Sequence, residues 1–122
     1  MFQLDLKSGL SICDQIVNGF IRLKAIGVLK SGDRLPSVRA LASKFSVNPN
    51  TIQKAYGILE SKNIIYSVKG KGSFISDDSE SVAAIKEAAM EKFKGSVKEA
   101  FDVGISRREL INSIEKWGEI ND

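Results

Sequence analysis

Asn50, Thr51, Gln53 and Lys54 set two amides, a hydroxyl and a positive charge almost side by side, and Arg39 adds a guanidinium a short way upstream. Amides bond in pairs to adenine edges, hydroxyls bond to several bases, and cations hold phosphates. Side chains of this kind read DNA only when a rigid element carries them into a groove. The stretch Leu35–Leu59 has the pattern of such an element.

Val38, Leu41, Ala42 and Phe45 recur at i, i+3, i+4 and i+7, and so do Ile52, Ala55, Tyr56 and Leu59. Each set makes one apolar helix face. Ser46-Val47-Asn48 between them is too short for anything but a sharp corner, so the stretch reads as a helix–turn–helix. Ser37 is placed to cap the first helix, and Asn48 the second, with Pro49 at the first helical position where its missing N–H costs nothing. Asn50, Thr51, Gln53 and Lys54 then project outward from the start of the second helix, the end that meets base edges in the major groove. Plain capping accounts for Asn48 and Pro49 as well, and the two roles are compatible.

The chain has 122 residues, 43% hydrophobic and 27% charged, which suits one small domain or one domain with an appendage. A single Cys13 and no His leave no disulfide, no metal site and no common general base, so neither a metal, a cofactor nor an enzymatic role is expected. Cys13 lies beside an apolar stripe and reads as packing. No apolar run approaches a membrane span and no leader pattern is visible, so a cytoplasmic protein is expected, with no membrane partner. The net charge of +3 hides a division: residues 1–76 hold 11 Lys/Arg against 4 Asp/Glu, whereas residues 77–122 hold 7 against 11. A basic N-terminal part and an acidic C-terminal part suggest that only the first meets a polyanion.

Met1–Asp5 has the alternation of a short strand or an ordered arm. Ser8-Gly9 is a plausible start for a helix whose stripe of Ile12, Ile16, Val17, Phe20 and Leu23 ends at Gly27, a left-handed cap. Val28–Pro36 reads as a connector. After the helix–turn–helix, Ile64–Val68 and Ser73–Ser76 are strand-like, and Lys69-Gly70-Lys71-Gly72 makes the turn between them. A basic hairpin in this place is a wing. With no following helix and no Walker-A spacing, the turn is not a nucleotide-phosphate loop.

Asp77–Ser81 is an acidic hinge and the candidate boundary, dividing residues 1–76 from residues 77–122. Beyond it Val82, Ile85, Ala89, Phe93, Val97 and Phe101 form a long helical stripe, which Gly95-Ser96 would loosen midway and Gly104 would cap. Ser106 and Glu109 form a capping box for a last helix carrying Leu110, Ile111, Ile114 and Trp117. Two helices of this size cannot cover their own apolar faces, and an acidic pair folded across the basic face would occlude it. A homodimer packed through Ile85, Ala89, Phe93, Val97, Phe101, Leu110, Ile114 and Trp117 is therefore expected. The fold class is mainly α with a small β-hairpin: a winged helix–turn–helix domain followed by a two-helix dimerisation element.

Ser31–Ala42, Val47–Tyr56 and Gly70–Ile75 resemble, in order and spacing, the GntR family of bacterial transcription regulators, and the short C-terminal part resembles its YtrA subfamily. The resemblance covers the whole chain. It implies that Arg39 contacts DNA from the first helix of the motif. It implies that Asn48, Asn50, Thr51 and Gln53 read bases or hold phosphates, and that Lys69-Gly70 enters the minor groove. Arg34 and Lys71 are expected at phosphates by charge and place, and Ser37 and Lys54 complete the set. The resemblance also implies a repressor of a small operon such as an ABC-transporter operon. Leu10, Ser46 and Asn63 depart from the family pattern, standing where proline, glycine and glycine are usual. The chain has no sizeable sensor domain, so a small-molecule effector, of unknown identity, would have to bind at the dimer interface or the domain junction. The expected partner is double-stranded DNA with an inverted-repeat operator. A non-specific architectural DNA binder would need no amide reading set, and a winged-helix protein-interaction module would need no basic one.

Overall fold

The computed structural model describes residues 1–121, with side chains through Trp117; Asp122, the last residue of the expected C-terminal element, lies outside the described residues. Five helices and one hairpin follow in the order α1 (Ile12–Ala25), α2 (Val38–Phe45), α3 (Pro49–Ser61), β1 (Ile65–Val68), β2 (Gly72–Ile75), α4 (Ser79–Asp102) and α5 (Arg107–Asn121). They form two compact units, Met1–Ala83 and Ala84–Asp122, so α4 begins in the first and continues in the second.

The first unit is built around α1, α2 and α3. Ile16, Phe20, Leu41, Ile52, Leu59, Ile64 and Ile75 are its largest fully buried side chains. Each contributes roughly 1.5–3 kcal/mol by leaving water. Cys13 is buried among them. Helix α1 starts later than Ser8-Gly9: Ser11 is the cap, its hydroxyl accepting the Asp14 N–H at 3.0 Å. The N-terminal segment is an arm rather than a strand. The Gln15 amide pins it by bonding both the N–H and the C=O of Asp5, at 2.7 and 2.8 Å. The Phe2 ring packs against Phe20 and Phe45, at centroid distances of 5.2 and 5.5 Å, over the bare Cα of Gly19.

Helices α1 to α4 end in the same way. The residues in the left-handed position are Gly27, Ser46, Asn63 and Gly104, with φ of 81°, 54°, 61° and 90°. In each case the next residue donates back across the last turn, as Val47 does to Ala42 and Ile64 to Leu59, both at 3.0 Å.

Strands β1 and β2 pair antiparallel with Ile65 opposite Ile75 and Val68 opposite Gly72. The segment expected to be a plain connector proves to be a third edge. Leu35 donates to Ser73, Gly32 to Ile75, and Ile75 to Asp33, at 2.8–2.9 Å, with Arg34 bridged to Phe74. Apolar patterning gave no sign of this, because Ser31-Gly32-Asp33-Arg34 is polar and only its backbone joins the sheet. The Asp77–Ser81 hinge is likewise tied down. Asp78 caps α4 through the N–H groups of Glu80 and Ser81, and the Lys24 ammonium donates to Ser76 Oγ and the Asp78 carbonyl at 2.8 and 3.1 Å. Burial lowers the Lys24 pKa from its ordinary value, and the charges of Asp78 and Asp77 oppose that shift.

In the second unit, α4 runs unbroken through Gly95-Ser96. The capping box forms as expected: Glu109 N–H donates to Ser106 Oγ at 3.1 Å, and Ser106 N–H donates to the Glu109 carboxylate at 2.8 Å. Of the residues expected at a dimer contact, Ile85, Val97 and Leu110 are half-buried, whereas Ala89, Phe93, Phe101, Ile114 and Trp117 are exposed. Phe93 keeps 46% of its surface and Trp117 68%.

Candidate nucleic-acid interface

Two helix starts carry most of the polar residues singled out above. At α3, the Asn48 side chain accepts the Asn50 N–H at 2.8 Å, and Pro49 opens the helix. The Asn48 oxygen is thus committed to the cap, and its NH2 group remains to donate outward. Asn50, Gln53 and Lys54 lie at i, i+3 and i+4 and are exposed together, opposite the buried face of Ile52, Ala55, Tyr56 and Leu59. Thr51 is half-buried beside them. At α2, Ser37 Oγ accepts the Ala40 N–H at 3.1 Å, and Arg39 stands exposed in the first turn.

The third group sits on the hairpin. Val68–Lys71 is closed by the Lys71 N–H on the Val68 carbonyl at 2.9 Å, and Gly70 has φ of 76°, the value a type II turn needs there. Lys69, Gly70 and Lys71 are exposed at the tip. Arg34 is anchored nearby: a Cβ on Gly72 would come within 3.0 Å of the Arg34 Nε, so the guanidinium lies against the glycine at the foot of the turn.

Among the described residues, the two side-chain ion pairs are Glu91–Lys94 and Lys98–Asp102, both on α4. Arg34, Arg39, Lys54, Lys69 and Lys71 make no side-chain ion pair with an acidic residue among the described residues. That leaves exposed cations on α2, α3 and the hairpin open to phosphates, with amides suited to base edges at the start of α3.

Residues 23–75 match the family described as bacterial regulatory proteins, gntR family. Over 130 residues the chain is 35% identical to the HTH-type transcriptional repressor YtrA of Bacillus subtilis (strain 168), and the match covers 100% of both. The chain belongs to the GntR family. The fold agrees with that membership. The structure of a transcriptional antiterminator from Listeria monocytogenes EGD-e matches with a TM-score of 0.78 at 34% identity, covering 97% of this chain and 90% of that one. AraR(DBD) in complex with operator ORE1 matches with a TM-score of 0.54 at 31% identity, covering 62% of this chain and 95% of that one. As a GntR member, the chain is a DNA-binding transcriptional regulator and not an enzyme, with a winged helix–turn–helix fold. No helix among the described residues is long and apolar enough to cross a membrane.

Some groups that shape this GntR surface were not visible in the residue pattern. Tyr56 falls in an apolar stripe and reads as core, yet its hydroxyl donates to the Pro36 carbonyl at 2.7 Å, just before the start of α2. Burial pushes that hydroxyl well above the ordinary tyrosine range, so it stays a donor at neutral pH. Gly72 reads as part of a turn, and its close fit to Arg34 depends on the third edge of the sheet. A tyrosine where phenylalanine would fill the same space is the one signal that the sequence offered.

Proposed function

We propose that the chain acts as a homodimeric, sequence-specific repressor that holds an inverted-repeat operator. The observation that carries this reading is the set of exposed cations with no ion pair among the described residues, together with the exposed amides at the start of α3. Arg39 and Lys54 hold phosphates, with Arg34, Ser37 and Lys71 in support. Asn50 and Gln53 read bases, Asn48 and Thr51 flank them, and the Lys69-Gly70 tip enters the minor groove. Residues 1–76 form the DNA-binding part, and residues 77–122 form the dimerisation part.

Phe93, Phe101, Ile114 and Trp117 support the dimer, since all are exposed on a unit of two helices. Large apolar side chains left exposed together on one small unit suit a protein contact. Two-fold symmetry sets the half-sites about one helical turn apart, or a multiple of that. The repressor role follows that of the YtrA relative, a transcriptional repressor, and the target is a small operon, such as one for an ABC transporter. A cytoplasmic setting suits a protein that binds chromosomal DNA.

The test is selection of bound duplexes from a random pool, paired with light-scattering mass measurement. An inverted repeat bound by a dimer supports the reading. Recovery of unrelated sequences, or a monomer at working concentration, overturns it.

A further inference from the structure

Tyr56 is 5% exposed and lies on the inward face of α3, so it cannot touch DNA itself. Its ring meets Phe20 edge-on at 5.9 Å, a contact that a phenylalanine would make equally well. The hydroxyl is the part that packing does not require. It donates at 2.7 Å to the Pro36 carbonyl, on a segment 20 residues earlier in the chain.

Pro36 lies at a junction. The Leu35 N–H before it donates to Ser73 on β2 at 2.9 Å. Ser37 after it caps α2 through Ala40 N–H, and its carbonyl accepts the Leu41 N–H at 2.9 Å. The wing, the start of α2 and the recognition helix α3 are thus tied to one three-residue strip, Leu35–Ser37, and Tyr56 supplies the tie from α3.

We propose that Tyr56 is a positioning residue for DNA binding, its hydroxyl holding the start of α2, with Ser37 and Arg39, at a set distance from the reading face of α3. The inference rests on the DNA-binding surface described above. A phosphate contact from α2 and a base contact from α3 belong to one rigid duplex, so slack between the two helices costs binding even when each side chain is intact. The hydrogen bond restrains that slack without touching the ligand.

The experiment compares the full chain with Tyr56→Phe, Arg39→Ala and the double variant on the selected duplex, by fluorescence anisotropy over a range of KCl. Tyr56→Phe is expected to bind roughly five- to hundredfold more weakly, the range that two net hydrogen bonds, one in each subunit of the dimer, span. Its log–log salt slope should be shallower by about two, as loss of one phosphate contact in each subunit of the dimer requires. Combined with Arg39→Ala, its effect should be smaller than the product of the two single effects. Base preference should not change.

Wild-type affinity and slope in Tyr56→Phe, while Arg39→Ala is weakened, overturn the positioning role and leave the DNA surface intact. A loss that multiplies with Arg39→Ala at unchanged slope overturns it too, making Tyr56 a packing residue. If Arg39→Ala binds as wild type, the surface itself is wrong and the inference falls with it. Amide exchange on the free protein gives a second readout. The Ala40 and Leu41 N–H groups should exchange faster in Tyr56→Phe while the α3 interior does not, and a uniform increase, or a variant that fails to fold, overturns the proposal.

Discussion

Ser46 and Asn63 hold left-handed backbone at φ of 54° and 61°, a conformation that glycine takes freely and a side chain resists. Asn63 tolerates it through its short polar side chain; Ser46 has less to offer. Replacing Ser46 with glycine should stabilise the fold by about 1 kcal/mol, read as a higher thermal midpoint with unchanged DNA affinity. At the reading surface the side chains divide by chemistry. Arg39→Ala should weaken binding on every duplex, whereas Gln53→Ala should relax preference at one base pair and leave random-sequence affinity nearly as it was. Gel shifts on matched and scrambled duplexes separate the two, and identical behaviour would refute the division. Tyr56 adds a pH dependence. Its folded-state pKa lies above the unfolded value of 10.0, so the folded form binds the proton more tightly. That contribution to stability is complete below pH 10 and declines as pH climbs from there through the folded-state value. The stability gap between wild type and Tyr56→Phe should therefore narrow in alkaline unfolding curves.

Among the elements, the N-terminal arm and the third sheet edge show how little sequence sometimes says about a contact. Gly19 lies in the middle of α1, where alanine would favour the helix. A Cβ there would come within 2.5 Å of the Phe2 ring, so the ring must shift from its place against Phe20 and Phe45. Gly19→Ala should free residues 1–6, seen as rapid exchange of the Asp5 amide and early proteolytic trimming, while α1 itself remains folded. The helix caps contrast with this. Ser37, Asn48, the Ser106–Glu109 box and the glycines at positions 27 and 104 were all readable, because a cap is settled within a few residues of chain.

On the scale of the whole chain, residues 1–76 are net basic and residues 77–122 net acidic, which favours the proposed division between DNA binding and dimerisation. Binding should weaken steeply with salt, since the open cations act by releasing counterions from the duplex. The apolar faces of α4 and α5 predict a different sensitivity. Phe93→Glu should shift the protein toward monomer in light scattering and weaken operator binding, because one subunit engages only one half-site. A dimer that persists with Phe93→Glu and Trp117→Glu together would remove that interface from consideration.

The amino-acid sequence alone determined the helix–turn–helix, the basic hairpin, the polar edge of α3 and the apolar stripes of α4 and α5. Each is written in local spacing: periodicity, a cap, a turn residue or a run of charge. The tertiary structure alone decided that Gly32–Leu35 becomes a sheet edge, that Phe2 covers Gly19, that Arg34 lies against Gly72, and that Tyr56 holds Pro36. These contacts join residues far apart in the chain through backbone groups, or through single atoms of side chains that otherwise read as core or loop. Periodicity does not record which distant carbonyl a buried hydroxyl will meet.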